Sequence, residues 1–237
     1  STPKPSSAAS DVYKRQERKD SDEARAAVAS LEREKAKSSG TYNTPEVNKA
    51  LGLMFAHKCY LCEQKGLHSI QIEHLVPHQK NRDLMFDWNN LFLSCSHCNN
   101  MKSDGFTPIL DCTKVAVDEK IAFRRHVEAL EEDKLDITAL DDSPETKNTV
   151  ALLNAVYYGS TSQKIEEAKI IRTQLSKELN QFEECVKEYA SADGEDKKDL
   201  ECSIKMKLKC TSLSPAFKRC IIRDAKSKFP ELQQYCK

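Results

Sequence analysis

The chain has no apolar run near the ~18–20 residues that a membrane-spanning helix needs. Its opening, "STPKPSSAASDVYKRQERKDSDEAR", lacks the basic-then-apolar pattern of a secretory leader, so the expected location is cytoplasmic. Excess charge of either sign is missing too: 37 Lys and Arg balance 37 Asp and Glu, which argues against a strongly basic nucleic-acid coat protein. No internal repeat is visible, and no Walker A loop, so any ATP dependence would have to come from another chain. What is present is a charge-rich sequence (31% charged, 39% hydrophobic), the profile of a soluble, helix-rich protein. Its 237 residues leave room for one generous domain or two modest ones.

Ten cysteines are many for a cytosolic chain. A secreted disulfide scaffold would usually be shorter and would carry a leader. Four of the ten fall into two close pairs, "CYLC" (Cys59, Cys62) and "CSHC" (Cys95, Cys98), separated by 32 residues. Two such pairs are what a structural tetrahedral zinc site requires: each supplies two thiolates from one tight turn, and the four ligands staple distant parts of the chain. His97 lies inside the second pair as an alternative ligand. Four thiolates already complete the shell, so it reads as a loop histidine. The other six (Cys112, Cys185, Cys202, Cys210, Cys220, Cys236) are scattered and read as free thiols.

Residues 1–40 are polar and expected to be disordered or foreign to the fold. Within them "SDEARAAVASLEREKAKSS" fits a solvent-exposed helix capped by Ser21, with little to bury. "TPEVNKALGLMFAHK" begins a helix with Thr44 as N-cap and Pro45 at its first position, and places Val47, Leu51, Met54 and Phe55 on one face. Beyond Cys112 the chain is expected to be largely helical. "TKNTVALLNAVYYG" is a short apolar helix ending at Gly159. "KIEEAKIIRTQLSKELNQFEECVKEYA" places Ile165, Ala168, Ile171, Leu175, Leu179, Phe182, Val186 and Tyr189 at steps of three and four, the stripe of a long amphipathic helix. That stripe packs either in its own bundle or on a partner. "DGEDKKD" (193–199) reads as a loop, and "SPAFKRCIIRDA" as a helix capped by Ser214. Residues 106–160 carry six basic against eleven acidic side chains, and 203–237 nine against two. The basic tail suits phosphates, an acidic partner, or simply a solvated helix face.

Five of the six histidines (His57, His68, His74, His78, His97) lie within 41 residues around the cysteine pairs. Between the pairs, "IQIEHLVPHQ" alternates like a strand leading to Pro77 and sets Glu73 beside His74. Adjacent strand residues face opposite sides. Both can serve one site only if the chain breaks at the strand end, which Pro77 allows.

The order Glu-His, then Pro, then Asn-Leu ahead of a Cys-x-x-Cys, then Asn and a Lys three further on, resembles the HNH endonucleases. The residues are "EHLVP", "NLFLSCSHCN" and Lys102, over roughly residues 55–105. The resemblance implies an α+β, mainly helical protein: a zinc-stapled ββα-metal finger in residues 41–112, followed by a helical, partner-binding region in 113–237. It implies His74 as general base, with Asn90 (or its neighbour Asn89) orienting the imidazole or holding the loop. Glu73 and Asn99 would hold a catalytic Mg²⁺ or Mn²⁺, and Lys102 would steady a phosphate. The substrate would be DNA, cut to leave 5′-phosphate ends. The family more often has Asp at the Glu73 position and His at the Asn99 position. A finger that keeps zinc and fold but binds DNA or protein without cutting is the alternative.

"KCYLCEQKGLHSIQIEHLVPH", "FDWNNLFLSCSHCNNMKS", "LLNAVYYG" and "SPAFKRCIIRD" together resemble the nuclease subunits (PtuB) of Septu-type and retron-linked antiphage systems, over most of residues 41–237. That likeness implies a hetero-oligomer with an ABC/SMC-like, PtuA-like ATPase. Residues 57–105 carry five basic and five acidic side chains, a poor DNA-binding surface by itself, because non-specific binding rests on phosphate neutralisation.

Overall fold

The computed structural model describes residues 20–66, 69–103, 105–128 and 131–236; the opening through residue 19 and His68 lie outside them. Helix α1 (Asp22–Lys35) starts at Ser21, whose Oγ accepts from the Ala24 amide, with Asp22 and Glu23 in its first turn. It is not the solvated helix the polar composition suggests. Ala24, Ala27, Ser30 and Leu31 are buried, a narrow stripe of small residues that lets it lie close against α2 (Pro45–Met54). Ser30 Oγ reaches Thr44 Oγ1 at 3.0 Å across that contact. Thr44 caps α2 as expected, and Val47, Leu51 and Phe55 are buried while Met54 is half-buried.

The chain then forms a ββα unit. Strand β1 (Ile70–His74) pairs antiparallel with β2 (Leu91–Cys95), in a register that sets Ile70 opposite Cys95 and His74 opposite Leu91. Every residue of β2 is buried, and helix α4 (Ser96–Lys102) leaves its end directly. Between the strands lies a loop holding one helical turn, α3 (Arg82–Met85), and a 3-10 turn at Trp88–Asn90.

The region after Cys112 is not helical throughout. Strands β3 (Ile121–His126) and β4 (Lys134–Ala139) form a second antiparallel pair. Its inward positions, Ile121, Phe123, Leu135 and Ile137, give only two period-2 repeats per strand. That signal is too short to outweigh the charged residues around it. The pair is held by tertiary packing, β4 on α5 (Pro144–Tyr158) and β3 on α8 (Pro215–Asp224). Helix α5 ends at Gly159, where φ is 72° and a Cβ would lie 2.5 Å from the Ile165 amide nitrogen.

Helix α6 (Ser162–Ser191) is the long amphipathic helix. Its stripe from Ala168 to Tyr189 is buried against α5, α7 (Gly194–Leu208) and α8, and only Ile165 of the expected set is exposed. Residues 194–199, expected as loop, are the first turns of α7. Glu195 and Asp196 favour its N-terminus, Lys205 and Lys207 its C-terminus, and Ile204 and Leu208 anchor it. Ser214 stands at the N-cap of α8 but does not cap it. Its backbone is left-handed (φ 45°), and its hydroxyl accepts from Gln64 instead.

One apolar cluster runs from Ala24 through the finger and β3–β4 to Cys220. A second, around Phe182, Tyr189, Ile204, Leu208, Phe229 and Leu232, closes the far end of α6. Among the described residues no helix is long and apolar enough to cross a membrane.

Candidate metal centre and active site

The four paired cysteines meet. Their sulfur atoms all lie within 4.8 Å of one another, and all four residues are buried. The Cys62 and Cys95 sulfurs are 4.0 Å apart. Four thiolates ~2.3 Å from a tetrahedral ion stand about 3.8 Å apart, so the cluster has the size of a zinc shell. The first knuckle follows two left-handed residues, Ala56 and His57 (φ 51° and 56°), which end the α2 segment. It closes by Glu63 N–H donating to Cys59 O (2.9 Å), and Tyr60 N–H donates to Leu93 O of β2 (2.9 Å). In the second knuckle Cys95 is both the last residue of β2 and the N-cap of α4, its sulfur accepting from Cys98 N–H at 3.4 Å. Burial pushes the Cys98 thiol well up, so thiolates here call for a cation to offset their charge. A buried, all-sulfur set of four donors fits zinc.

His97 is not a loop histidine. It lies buried on α4, with Nε2 2.8 Å from Val156 O of α5 and Nδ1 2.8 Å from Glu167 Oε2 of α6. Both ring nitrogens face these partners, so they anchor α4 and none is left for a metal. The first knuckle is tied down in parallel. Lys58 Nζ donates to Cys210 O, Gln64 Nε2 to Ser214 Oγ (2.9 Å), and Ala216 N–H donates to Glu63 Oε2 (3.3 Å). The cysteine cluster is therefore joined on both sides to the helices that follow it.

The other candidate residues gather where β1 ends against α4. Gln71 and Glu73 share one face of β1, and α4 lays Asn99 and Lys102, one turn apart, across that face. Asn99 Nδ2 donates to Gln71 Oε1 (2.7 Å), which leaves the amide oxygen out of that bond. Lys102, with no exposed side-chain surface, donates to Glu73 Oε1 (2.8 Å) and to His74 O (2.9 Å). The Glu73 carboxylate thus already holds one cationic group, and a carboxylate with a neighbouring amide oxygen is a donor set of the hard type that Mg²⁺ or Mn²⁺ takes.

Strand β1 ends at His74, and Lys102 Nζ, bonded to both Glu73 Oε1 and His74 O, links the two residues. His74 Nε2 lies 3.0 Å from Met85 O. A carbonyl only accepts, so Nε2 carries the proton and Nδ1 keeps the lone pair. Burial lowers the imidazole's pKa below its ordinary 6.5, which favours the neutral ring. Asn90 is nearly fully buried and bridges the loop. Its Oδ1 accepts from Val76 N–H (2.8 Å) and its Nδ2 donates to Val76 O (2.9 Å) and Leu84 O (3.1 Å). Of the two asparagines, Asn90 pins the loop, whereas Asn89 is exposed and its Nδ2 donates to Asp87 Oδ1.

Two neighbours of His74 were not foreseen from sequence. The Tyr42 ring meets it edge-on (centroids 4.6 Å, planes at 84°), and the His78 ring lies 4.7 Å away on the next turn of chain. His78 had a signal, the histidine crowding of this region. Tyr42 had none. An open cleft of 510 Å³ between the β3–β4 turn and α6, lined by Glu132, Lys169 and Arg172, contains none of these groups.

The family model for HNH endonuclease matches residues 59–105, well under half of the chain, and no curated protein or solved structure matches it. The matched span starts at Cys59 and ends just past Lys102. It contains both knuckles, both strands of the finger and α4. Residues 59–105 thus match the HNH endonuclease family and contain the four-cysteine cluster.

Proposed function

We propose that the protein is a metal-dependent endonuclease that hydrolyses phosphodiester bonds of DNA, with His74 as general base. The observation that carries the reading is the setting of His74: its Nε2 faces the Met85 carbonyl, which can only accept, and burial lowers the ring's pKa, so that Nδ1 is the nitrogen placed to take a proton. In this mechanism a water loses a proton to Nδ1 as its oxygen bonds to phosphorus, the bond from phosphorus to the 3′ oxygen breaks, and that oxygen takes a proton from solvent water. The products are a 3′-hydroxyl and a 5′-phosphate. Glu73 and Asn99 would hold the divalent cation, Mg²⁺ or Mn²⁺, which when bound supplies charge stabilisation to the phosphate and the leaving oxygen. Lys102 adds a positive charge at the same place, and Asn90 keeps the loop that carries the Met85 carbonyl in register.

A non-catalytic zinc module that binds DNA or protein is the rival, and the pairing of Glu73 with Lys102 favours it, since that carboxylate is already engaged. His74→Ala separates the two. The parent should nick or cut duplex DNA with Mg²⁺ or Mn²⁺ and the variant should not. Equal cleavage by both, or none by the parent under every metal and partner condition, sinks the enzyme reading.

The finer reading is an effector nuclease of a Septu-like antiphage complex with an ABC/SMC-like ATPase. Its support is the set of sequence segments quoted above, and the even charge of residues 57–105, which suits a nuclease whose DNA is held by a partner. Co-purification with the product of an adjacent ATPase gene tests it, and its failure would leave the nuclease proposal standing.

A further inference from the structure

The catalytic proposal needs a histidine whose ring does not turn, and the structure shows what surrounds that ring. On one side is the Met85 carbonyl. On the others are two aromatic rings, His78 from the chain just beyond the strand and Tyr42 from before the finger. Tyr42 and His78 also face each other, 6.4 Å apart between centroids.

Tyr42 is delivered there by an unusual path. After α1 the chain doubles back so tightly that a Cβ on Gly40 would sit 1.8 Å from Glu34 O, a closeness only glycine permits. Glu34 Oε2 then accepts from Thr41 N–H (3.1 Å), and Thr44 N–H donates to Tyr42 O (3.1 Å). The same turn is clamped to the catalytic loop. Arg82 donates to Lys35 O and to Lys37 O (2.7 Å), and Lys35 pairs with Asp83. Arg82 and Asp83 belong to α3, whose last residue is Met85. Both things that hold the His74 ring, the Met85 carbonyl and the Tyr42 edge, therefore rest on one join between α1 and α3.

We infer that Tyr42 is a positioning residue for His74, and that residues 22–44 are the strap that holds it in place. The inference rests on the proposed role of His74 as general base. The ring of Tyr42 does the work, because the contact is an edge-to-face packing of two rings. A smaller side chain would let the imidazole rotate and exchange its Met85 bond for water, so that Nε2 and Nδ1 share the proton.

The test uses the full chain with zinc, Tyr42→Ala and Tyr42→Phe, and two measurements. The first is cleavage of duplex DNA with Mn²⁺. Tyr42→Ala should lower kcat by roughly tenfold to a hundredfold with KM little changed, the scale expected when a reacting group is misplaced by about an ångström. Tyr42→Phe should restore most of it. The second is the ring-nitrogen NMR spectrum of His74, which should show a single Nε2-protonated tautomer in the parent and in Tyr42→Phe and a mixture in Tyr42→Ala. A Tyr42→Ala protein with parental kcat, or a Tyr42→Phe protein as impaired as Tyr42→Ala, overturns the inference. Should the parent cleave nothing under every metal and partner condition, the nuclease proposal fails, and the tautomer spectrum still decides the positioning role: an unchanged spectrum in Tyr42→Ala sinks it. Tyr42→Leu, which keeps apolar bulk, carries the same two readings if Tyr42→Ala does not fold.

Discussion

Asn90→Ala should cost stability through the loop, before any question of chemistry arises. The side chain makes three hydrogen bonds in a nearly closed site, one accepted from Val76 and two donated to Val76 O and Leu84 O. Each is worth about 0.5–1.5 kcal/mol net, and removal leaves one amide and two carbonyls seeking partners. Water can reach some of them, because Val76 is exposed and Leu84 only half-buried. The expected loss is therefore ~2–3 kcal/mol, below the ~4.5 that three full bonds would give at most. Urea unfolding of the zinc-loaded protein reads it directly, as a lowered midpoint at constant slope. Asn90→Asp sharpens the test. The aspartate keeps an acceptor for Val76 N–H but turns an anionic oxygen toward two carbonyls, so it should destabilise more than alanine does. An Asn90→Ala protein within ~0.5 kcal/mol of the parent, or an Asn90→Asp protein more stable than it, would refute the reasoning.

Three further outcomes are expected. Cys95→Ser should abolish stoichiometric zinc binding, measured by elemental analysis, and lower the thermal midpoint; unchanged metal content would rule out the four-thiolate site. His97→Ala should keep its zinc yet lose ~1–2 kcal/mol in denaturant unfolding, because it removes one bond to a buried carbonyl and one to the part-exposed Glu167. Loss of zinc in that variant would instead make His97 a ligand. Gly40→Ala should lower the melting temperature and depress cleavage with it, since the added methyl meets the Glu34 carbonyl oxygen at 1.8 Å and the turn that delivers Tyr42 must open. A variant that melts with the parent would mean the turn has room to spare.

What was legible in the sequence is what local chain geometry decides. Cysteine pairs three positions apart, the serine and threonine caps at Ser21 and Thr44, and the apolar stripe of α6 from Ala168 onward all act over a few residues, and all stand where expected. Illegible features depend on what a residue meets far along the chain. The strands β3 and β4 are strands because α5 and α8 cover them, and residues 194–199 are helical because Ile204 and Leu208 anchor the rest of α7. The polarity of α1 hid a stripe of alanines. The histidine inside the second knuckle shows the limit most sharply. Its sequence neighbours are two cysteines, which suggest a metal; its spatial neighbours are Val156 and Glu167, which make it a strut.

That strut changes what the cysteine cluster does in the fold. Sequence spacing presents the four cysteines as a staple of the finger alone. In the fold their knuckles also carry Lys58, Glu63, Gln64 and His97, and each of these reaches the later part of the chain, at Cys210, Ala216, Ser214 and the α5–α6 corner. Cys95 meanwhile caps α4, the helix that presents Asn99 and Lys102 to the end of β1. Because the same turns serve both sides, loosening them must disturb the packing of the C-terminal helices and the geometry around Glu73 and His74 together. The cysteine cluster thus joins the packing of those helices to the end of β1, where Lys102 meets Glu73 and His74.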